Sequence, residues 1–319
     1  MCFDRLPMKP DVDKILRGDV LAGSRLMRFL EERDPRGIAM LKAIYPHVGH
    51  AFMIGITGPA GAGKSTLVSR MVRCLRGRGL RVGVVAVDPS SPFTGGALLG
   101  DRIRMQGHET DPGVFIRSMA ARGQAGGVSR ATREVALVMD AMGYQVVLIE
   151  TVGIGQGEVA VSNCVHTTAV VSIPGMGDEI QAMKAGVLEI GDVFVVNKAD
   201  RDGADELAQL LESVVGLRRC PPGEWRPPVV KTVAVQNEGI DHLIDLLFQH
   251  RRHLEFTGRL AERFTRNEFH FFRQLVLDLA ATVLLQDCPE LAALREDLAH
   301  RAIDPYTAAE KHLEKRLRT

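Results

Sequence analysis

The stretch Gly58-Pro-Ala-Gly-Ala-Gly-Lys-Ser65 stands directly after an apolar run, Phe52–Thr57, and directly before a segment that opens Thr66-Leu-Val-Ser-Arg-Met. It matches G-x-x-x-x-G-K-[ST], and a strand before and a helix after are the context that motif requires. The reason is physical. Gly58, Gly61 and Gly63 let the backbone N–H groups of the loop, that of Ala62 included, turn inward around a β-phosphate, where a Cβ would crowd it. Lys64 is placed to reach the β/γ oxygens and Ser65 to ligate Mg²⁺. The first helical turn, with Thr66, adds N–H groups and a partial positive charge.

The rest of the chain supplies the sheet that such a loop needs. Buried-type strands are expected at 52–57, 81–87, 113–117, 145–150, 168–173, 192–197 and 229–234, with helices near 64–77, 129–142, 179–188, 204–215 and 239–253 between them. That alternation predicts right-handed crossovers and a doubly wound, mainly parallel α/β sheet covered on both faces. Residues 11–46 read as helix with a break at Asp34-Pro35, and from about 255 the pattern becomes helical only, near 257–285, 289–302 and 305–317. The organisation expected is therefore a helical extension over 1–50, a nucleotide-binding domain over 51–254 and an all-helical segment over 255–319. In the last of these, Phe264, Phe271, Leu275 and Leu279 form a stripe that must be buried on the core or on a second subunit.

Two acidic residues close expected strands, Asp88 after 81–87 and Glu150 after 145–149. In doubly wound sheets ligands gather at the carboxyl ends of strands, which directs both carboxylates toward the phosphates. Glu150-Thr-Val-Gly153 stands where many GTPases carry Asp-x-x-Gly, so the Gly153 N–H can meet a γ-phosphate. The longer glutamate side chain suggests contact with Mg²⁺ through a water. Asp101, in Gly100-Asp-Arg-Ile-Arg, is a further Mg²⁺ or water-positioning candidate.

Asn197-Lys-Ala-Asp200 follows the apolar run Val193–Val196. The Asp200 carboxylate can accept from guanine N1–H and the exocyclic N2 amine, a donor pair that adenine lacks. Lys198 can lie along the base plane, and Asn197 can tie the nucleotide loops together. A backbone contact to the guanine O6 is expected from Val233 or Ala234, in the loop after 229–233.

Composition excludes other classes. With 40 basic against 39 acidic residues the net charge is +1, which gives no long-range attraction to nucleic acid or an anionic membrane. Five cysteines, with no Cys-x-x-Cys pair, indicate neither a disulfide framework nor a zinc cluster. Apolar runs are strand-length, so a soluble, cytoplasmic protein is expected.

The stretches Val87–Met105, Phe115-Ile-Arg-Ser-Met119, Glu150-Thr-Val-Gly-Ile-Gly-Gln156 and Pro174–Gly186 are far less generic than the motifs above. Through them the chain resembles the MeaB/ArgK-type G-protein chaperones of adenosylcobalamin-dependent acyl-CoA mutases. The resemblance implies a GTPase, dimeric through its C-terminal helices, that gates cofactor loading and protects or rescues such a mutase, with a cobalamin adenosyltransferase as a further partner. GTP and GDP with Mg²⁺ would be its ligands, and cobalamin is not expected to bind the chain itself. It also places switch regions on 88–105, 152–158 and 174–188. Asp88, Asp101 and Glu150 then fall in the metal and hydrolysis site, and Gly177, Asp178, Gln181 and Lys184 in a mobile partner-sensing loop. Thr232-Val-Ala234 lacks the serine usual in that family's base loop.

The residues bear on rate as well. No glutamine directly follows Gly153, so intrinsic hydrolysis should be slow, with Gln156 brought in when a partner binds. A P-loop kinase, the older label of the family, would seldom need the guanine selectivity of Asn197–Asp200. A nickel-type metallochaperone would call for a Cys/His cluster that the spacing does not provide.

Overall fold

The computed structural model describes residues 9–88, 110–120, 130–151, 161–175, 185–218, 220–221, 223–286 and 289–317. Among them, seven strands form one wholly parallel sheet: β1 (Phe52–Thr57), β2 (Val82–Asp88), β3 (Val114–Ala120), β4 (Val146–Glu150), β5 (Thr167–Ser172), β6 (Val193–Asn197) and β7 (Val229–Thr232). Their order is β3-β2-β4-β1-β5-β6-β7, which puts β1 between β4 and β5. The central strands read as unbroken apolar runs because both faces are covered, and every residue of β1, β4, β5 and β6 is buried.

One face is covered by α4 (Lys64–Gly77) and α8 (Ile240–Phe256), whose Leu67, Met71, Leu75, Leu243 and Leu247 pack with Phe52, Ile54, Val84 and Val195. The other face is covered by α5 (Arg130–Ala141). This helix is itself buried by α1 (Lys9–Leu16), α2 (Val20–Glu31) and α3 (Pro35–Ile44), through Ile15, Leu26, Met27, Leu30 and Met40. The N-terminal helices thus form a third layer in the same core as the sheet. Buried Asp140 of α5 accepts from the N–H groups of Gly49 (2.6 Å) and Ala51 (2.9 Å), fixing the turn that leads into β1. The edge strand β3 is bound to α2 by an Arg117–Glu31 ion pair at 2.7 Å.

The expected helix over 11–46 is broken twice rather than once. Asp34 caps α3 through the Arg36 N–H, with Pro35 in the first turn. The additional break is at Gly18, whose φ of +82° ends α1 before Asp19 caps α2. Strand β7 ends at Thr232, short of the expected 234, because Val233 leaves the ladder to bridge Glu238. The remaining elements of this part are α6 (Ala185–Ile190) and α7 (Ala204–Gly216); residues 179–184 of the expected helix lie outside the described residues.

The chain divides into two compact units, Met1–Phe264 and Thr265–Thr319. Helix α9 (Arg259–Leu284) begins in the first and continues through the second, which also holds α10 (Pro289–Ala299) and α11 (Pro305–Leu317). Within the second unit, Asp304 caps α11 and His312 Nε2 meets the Leu284 carbonyl at 2.6 Å. Of the expected stripe, Phe264 and Leu279 are 39% and 64% exposed, and Phe271 and Leu275 are half-buried.

At the amino ends of β5 and β6 a buried polar cluster closes the sheet. The Asp192 carboxylate accepts from both terminal nitrogens of Arg263 (2.7 and 2.8 Å) and from the Thr168 N–H (2.9 Å). His250 shares a hydrogen bond with Thr167 Oγ1 at 2.9 Å, and Trp225 lies against the His250 ring and donates to the Asp192 carbonyl. Burial pushes His250 down to about 4, and burial with nearby Arg251 and Arg263 pushes His166 down to about 4. Both rings are therefore neutral in the folded protein and become charged on unfolding below their ordinary value near 6.5. Between about pH 6.5 and pH 4 the unfolded chain binds more protons, so stability falls as pH falls, by up to about 1.4 kcal/mol per pH unit for each ring. Thermal unfolding of His250→Gln should lose stability less steeply than the unsubstituted protein over that window. Parallel pH dependences would refute the assignment of a neutral His250.

Candidate functional site

The loop between β1 and α4 is shaped by three glycines for different reasons. Gly58 (φ +138°) runs so close to β5 that a Cβ would lie 2.1 Å from the Val171 carbonyl oxygen. At Gly63 (φ +83°) it would lie 2.6 Å from Asn197 Nδ2. Gly61 (φ +76°) has open space around it, so its requirement is backbone conformation rather than the crowding expected from the motif. Gly63 also sits at the N-cap of α4 with no side-chain cap, which leaves first-turn N–H groups, from Thr66 among others, for an anion.

Lys64 is buried, and its Nζ donates to the carbonyls of Gly58 (2.8 Å) and Pro59 (2.9 Å), which holds the ammonium in the mouth of the loop. The Ser65 hydroxyl donates to Glu150 Oε1 at 2.7 Å. The sheet sets that meeting, because Glu150 pairs with Ile56 of β1 and with Ala86 of β2. Asp88 closes β2 on the same sheet edge. The Ser65 hydroxyl and the Glu150 carboxylate beside the phosphate loop are hard oxygen donors of the kind Mg²⁺ takes, so the residues present fit that ion. Among the described residues no group of three or more His, Cys, Asp or Glu side chains could hold a metal by itself. The thiols Cys74 and Cys164 are both raised to about 11, by burial first.

Asn197 ends β6 and is 2% exposed. Its Nδ2 donates to the Ala62 carbonyl at 2.8 Å, while its Oδ1 accepts from Thr232 Oγ1 (3.1 Å) and the Ala234 N–H (3.2 Å). Lys198, at φ +56°, reaches back to the Gly61 carbonyl at 2.8 Å. Asp200 is exposed two residues on, and its carboxylate has no hydrogen bond or ion pair among the described residues. The Val233 N–H is engaged by the Glu238 carbonyl at 3.1 Å. A guanine O6 seeking the Ala234 N–H would share it with Asn197. Asp101, Gly153, Gln156, Gly177, Asp178, Gln181 and Lys184 lie outside the described residues.

Two contacts were not anticipated from spacing. The Thr232 hydroxyl anchors Asn197, and Arg70 of α4 donates to the Ala234 and Val235 carbonyls at 3.1 and 3.2 Å. Nothing in the motif marks Arg70, since its partners are backbone atoms far along the chain.

The family described as methylmalonyl Co-A mutase-associated GTPase MeaB matches residues 23–287. This chain belongs to the MeaB family. A Pyrococcus abyssi protein, named provisionally as a GTPase, is 45% identical to it over 303 residues, 94% of each chain. The methylmalonic aciduria type A homolog of Mus musculus, a mitochondrial protein by name, is 38% identical over 215 residues, 66% of this chain and 52% of the mouse one. A crystal structure of a LAO/AO transport system kinase superposes with a TM-score of 0.74 at 26% identity, covering all of both chains. The MeaB-family chain accordingly has a P-loop GTPase fold, and no helix among its described residues is long and apolar enough to cross a membrane.

Asn197→Ala would leave the Ala62 carbonyl, the Thr232 hydroxyl and the Ala234 N–H without their partner in a buried place. The expected cost is about 2–3 kcal/mol of unfolding free energy. Lys198→Ala, which removes a single exposed contact, should cost under about 1 kcal/mol. Urea unfolding of the two variants checks this, and equal costs would contradict the central place given to Asn197.

Proposed function

We propose that this chain binds GTP and GDP with Mg²⁺, hydrolyses GTP slowly alone, and serves as the GTPase chaperone of an adenosylcobalamin-dependent acyl-CoA mutase. In this reading the nucleotide cycle gates cofactor loading and protects or reactivates the client. The observation that carries it is the Asn197 tie, which joins the phosphate loop to the loop after β7. A protein built that way senses phosphate and base as one ligand. Family membership supports the choice of client, as does the name of the mouse relative.

Roles follow from position. Lys64 binds the β- and γ-phosphate oxygens, with the backbones of Gly58 to Ser65 and Thr66 around them. When bound, Mg²⁺ would neutralise charge on those oxygens, held by Ser65, Glu150 and Asp88, with Asp101 a further candidate. Gly153 meets the γ-phosphate and Gln156 helps orient water in the presence of the partner. Asp200 accepts from the guanine donors and Lys198 lies along the base, with Val233 or Ala234 beside O6. Gly177, Asp178, Gln181 and Lys184 report the nucleotide state to the partner. Residues 1–50 act as a helical extension, 51–254 as the GTPase domain and 255–319 as the segment that joins two copies in a homodimer. Cobalamin stays with the mutase and the adenosyltransferase. The solved relative is named a kinase. Asn197 to Asp200 favour guanine recognition, which a small-molecule kinase would seldom need.

Asp200→Asn should move preference from GTP toward XTP, since xanthine offers an acceptor where guanine offers its N2 donors. Unchanged GTP affinity in a fluorescence titration would sink the base-site assignment. Lys64→Ala should abolish hydrolysis with the fold retained. For the client, the rate of GTP hydrolysis should rise severalfold when a mutase from the same source is added. A rate indifferent to every such mutase would leave the GTPase reading standing and remove the chaperone one.

A further inference from the structure

Arg70 lies on α4, the helix that Lys64 and Ser65 open, yet its side chain serves the other half of the site. Its Nε donates to the Ala234 carbonyl at 3.1 Å and its Nη2 to the Val235 carbonyl at 3.2 Å. In a trans peptide the N–H opposes the C=O, so holding two successive carbonyls toward α4 fixes two successive peptide planes. Asn197 holds the same loop from its other side, through the Ala234 N–H and the Thr232 hydroxyl. The segment 232–235 is therefore clamped between the phosphate-loop helix and the end of β6. It is a short 3-10 turn, Ala234–Gln236, in which Ala234 is buried in the core and Val235, the next residue, is 67% exposed.

We propose that Arg70 is a positioning residue for guanine recognition. Its planar fork sets the peptide planes 234–235 and 235–236 so that a loop amide N–H is presented to the 6-oxo group of the base. This rests on the guanine-nucleotide reading above. A fixed N–H donates to a 6-oxo group and opposes the 6-amino group of adenine, which brings a second donor to the same place. The fork matters because two carbonyls are held at once. A lysine ammonium keeps the charge but not that geometry.

The test measures binding of unlabelled nucleotides to the full chain by titration calorimetry. GDP, XDP and 2-aminopurine riboside diphosphate are compared, the last lacking the 6-oxo group. Arg70→Met is expected to weaken GDP and XDP alike, by about tenfold, the worth of one well-placed hydrogen bond. It should weaken the 2-aminopurine nucleotide much less, so that the gap between it and GDP narrows to the part owed to the N1–H that 2-aminopurine also lacks. Arg73→Met, which removes an exposed arginine from the same helix, should leave all three affinities in place. Should Arg70→Met prove unstable, Arg70→Lys makes the same comparison, with loss of the same selectivity expected. An equal loss for all three nucleotides, or no loss, would overturn the positioning role while leaving guanine binding intact. Failure of the unsubstituted chain to bind GDP would instead overturn the guanine reading, and this proposal with it.

Discussion

The amide of Asn197 joins the loop before α4 to the end of β7, two pieces of chain that no strand pairing connects to each other. Through Nδ2 it takes the carbonyl of Ala62, and through Oδ1 it takes the hydroxyl of Thr232 and the N–H of Ala234. A carboxylate there would face the Ala62 carbonyl without a donor, and an aliphatic side chain would leave all three groups unpaired in a buried place. Gly63 is glycine partly for the same reason, since the amide nitrogen occupies the space a Cβ would need. The loop before α4 and the loop after β7 are thus one object, and Lys198 strengthens it by reaching the Gly61 carbonyl.

That object is held in place by the sheet. Ile56, Glu150 and Ala86 stand side by side across β1, β4 and β2, so the carboxylate that meets Ser65 is delivered by buried strands rather than by a loop. A shift of one residue in β4 would turn Glu150 to the other face and part it from Ser65. The helices serve that register. Helix α5 is covered by α1 to α3, and its Asp140 fixes the turn into β1.

The layout was legible in the chain wherever local chemistry dictates it. Runs such as Val82–Val87 and Val146–Ile149 suit buried parallel strands and little else, and they end at Asp88 and Glu150. The loop from Gly58 to Ser65 requires particular residues at particular spacing, and Asn197 with Lys198 follows a strand directly. The positions the structure brings together at the carboxyl ends were marked in this way. Hidden features depend on contacts distant in sequence. Gly18 ends a helix because its backbone turns left-handed, which spacing does not announce. Arg70 is one arginine among several on an amphipathic helix until β7 and its following turn are placed beside it. The cluster of Asp192, Arg263 and His250 joins three elements whose separation in the chain carries no pattern.

A parallel sheet confronts the same difficulty at both ends, since polar groups at strand termini are drawn into a dry interior and need partners. At the amino ends the answer is closed. The Arg263 guanidinium and the Thr168 N–H meet the Asp192 carboxylate, Trp225 meets its carbonyl, and neutral His250 pairs with Thr167 beside them. At the carboxyl ends the groups are Lys64, Ser65, Glu150, Asn197 and Thr232, and several of their partners are loop carbonyls and hydroxyls instead of an opposing charge. A phosphate oxygen competes well for an ammonium that donates to carbonyls, and a hard cation for a carboxylate that accepts from a hydroxyl, because bonds between charged groups are the stronger ones. Asn197 and Thr232 bind each other and backbone, with nothing to gain from such a trade. The exchangeable groups cluster at the phosphate loop and the fixed ones lie between it and the loop after β7. That division lets a ligand alter the first set without loosening the second.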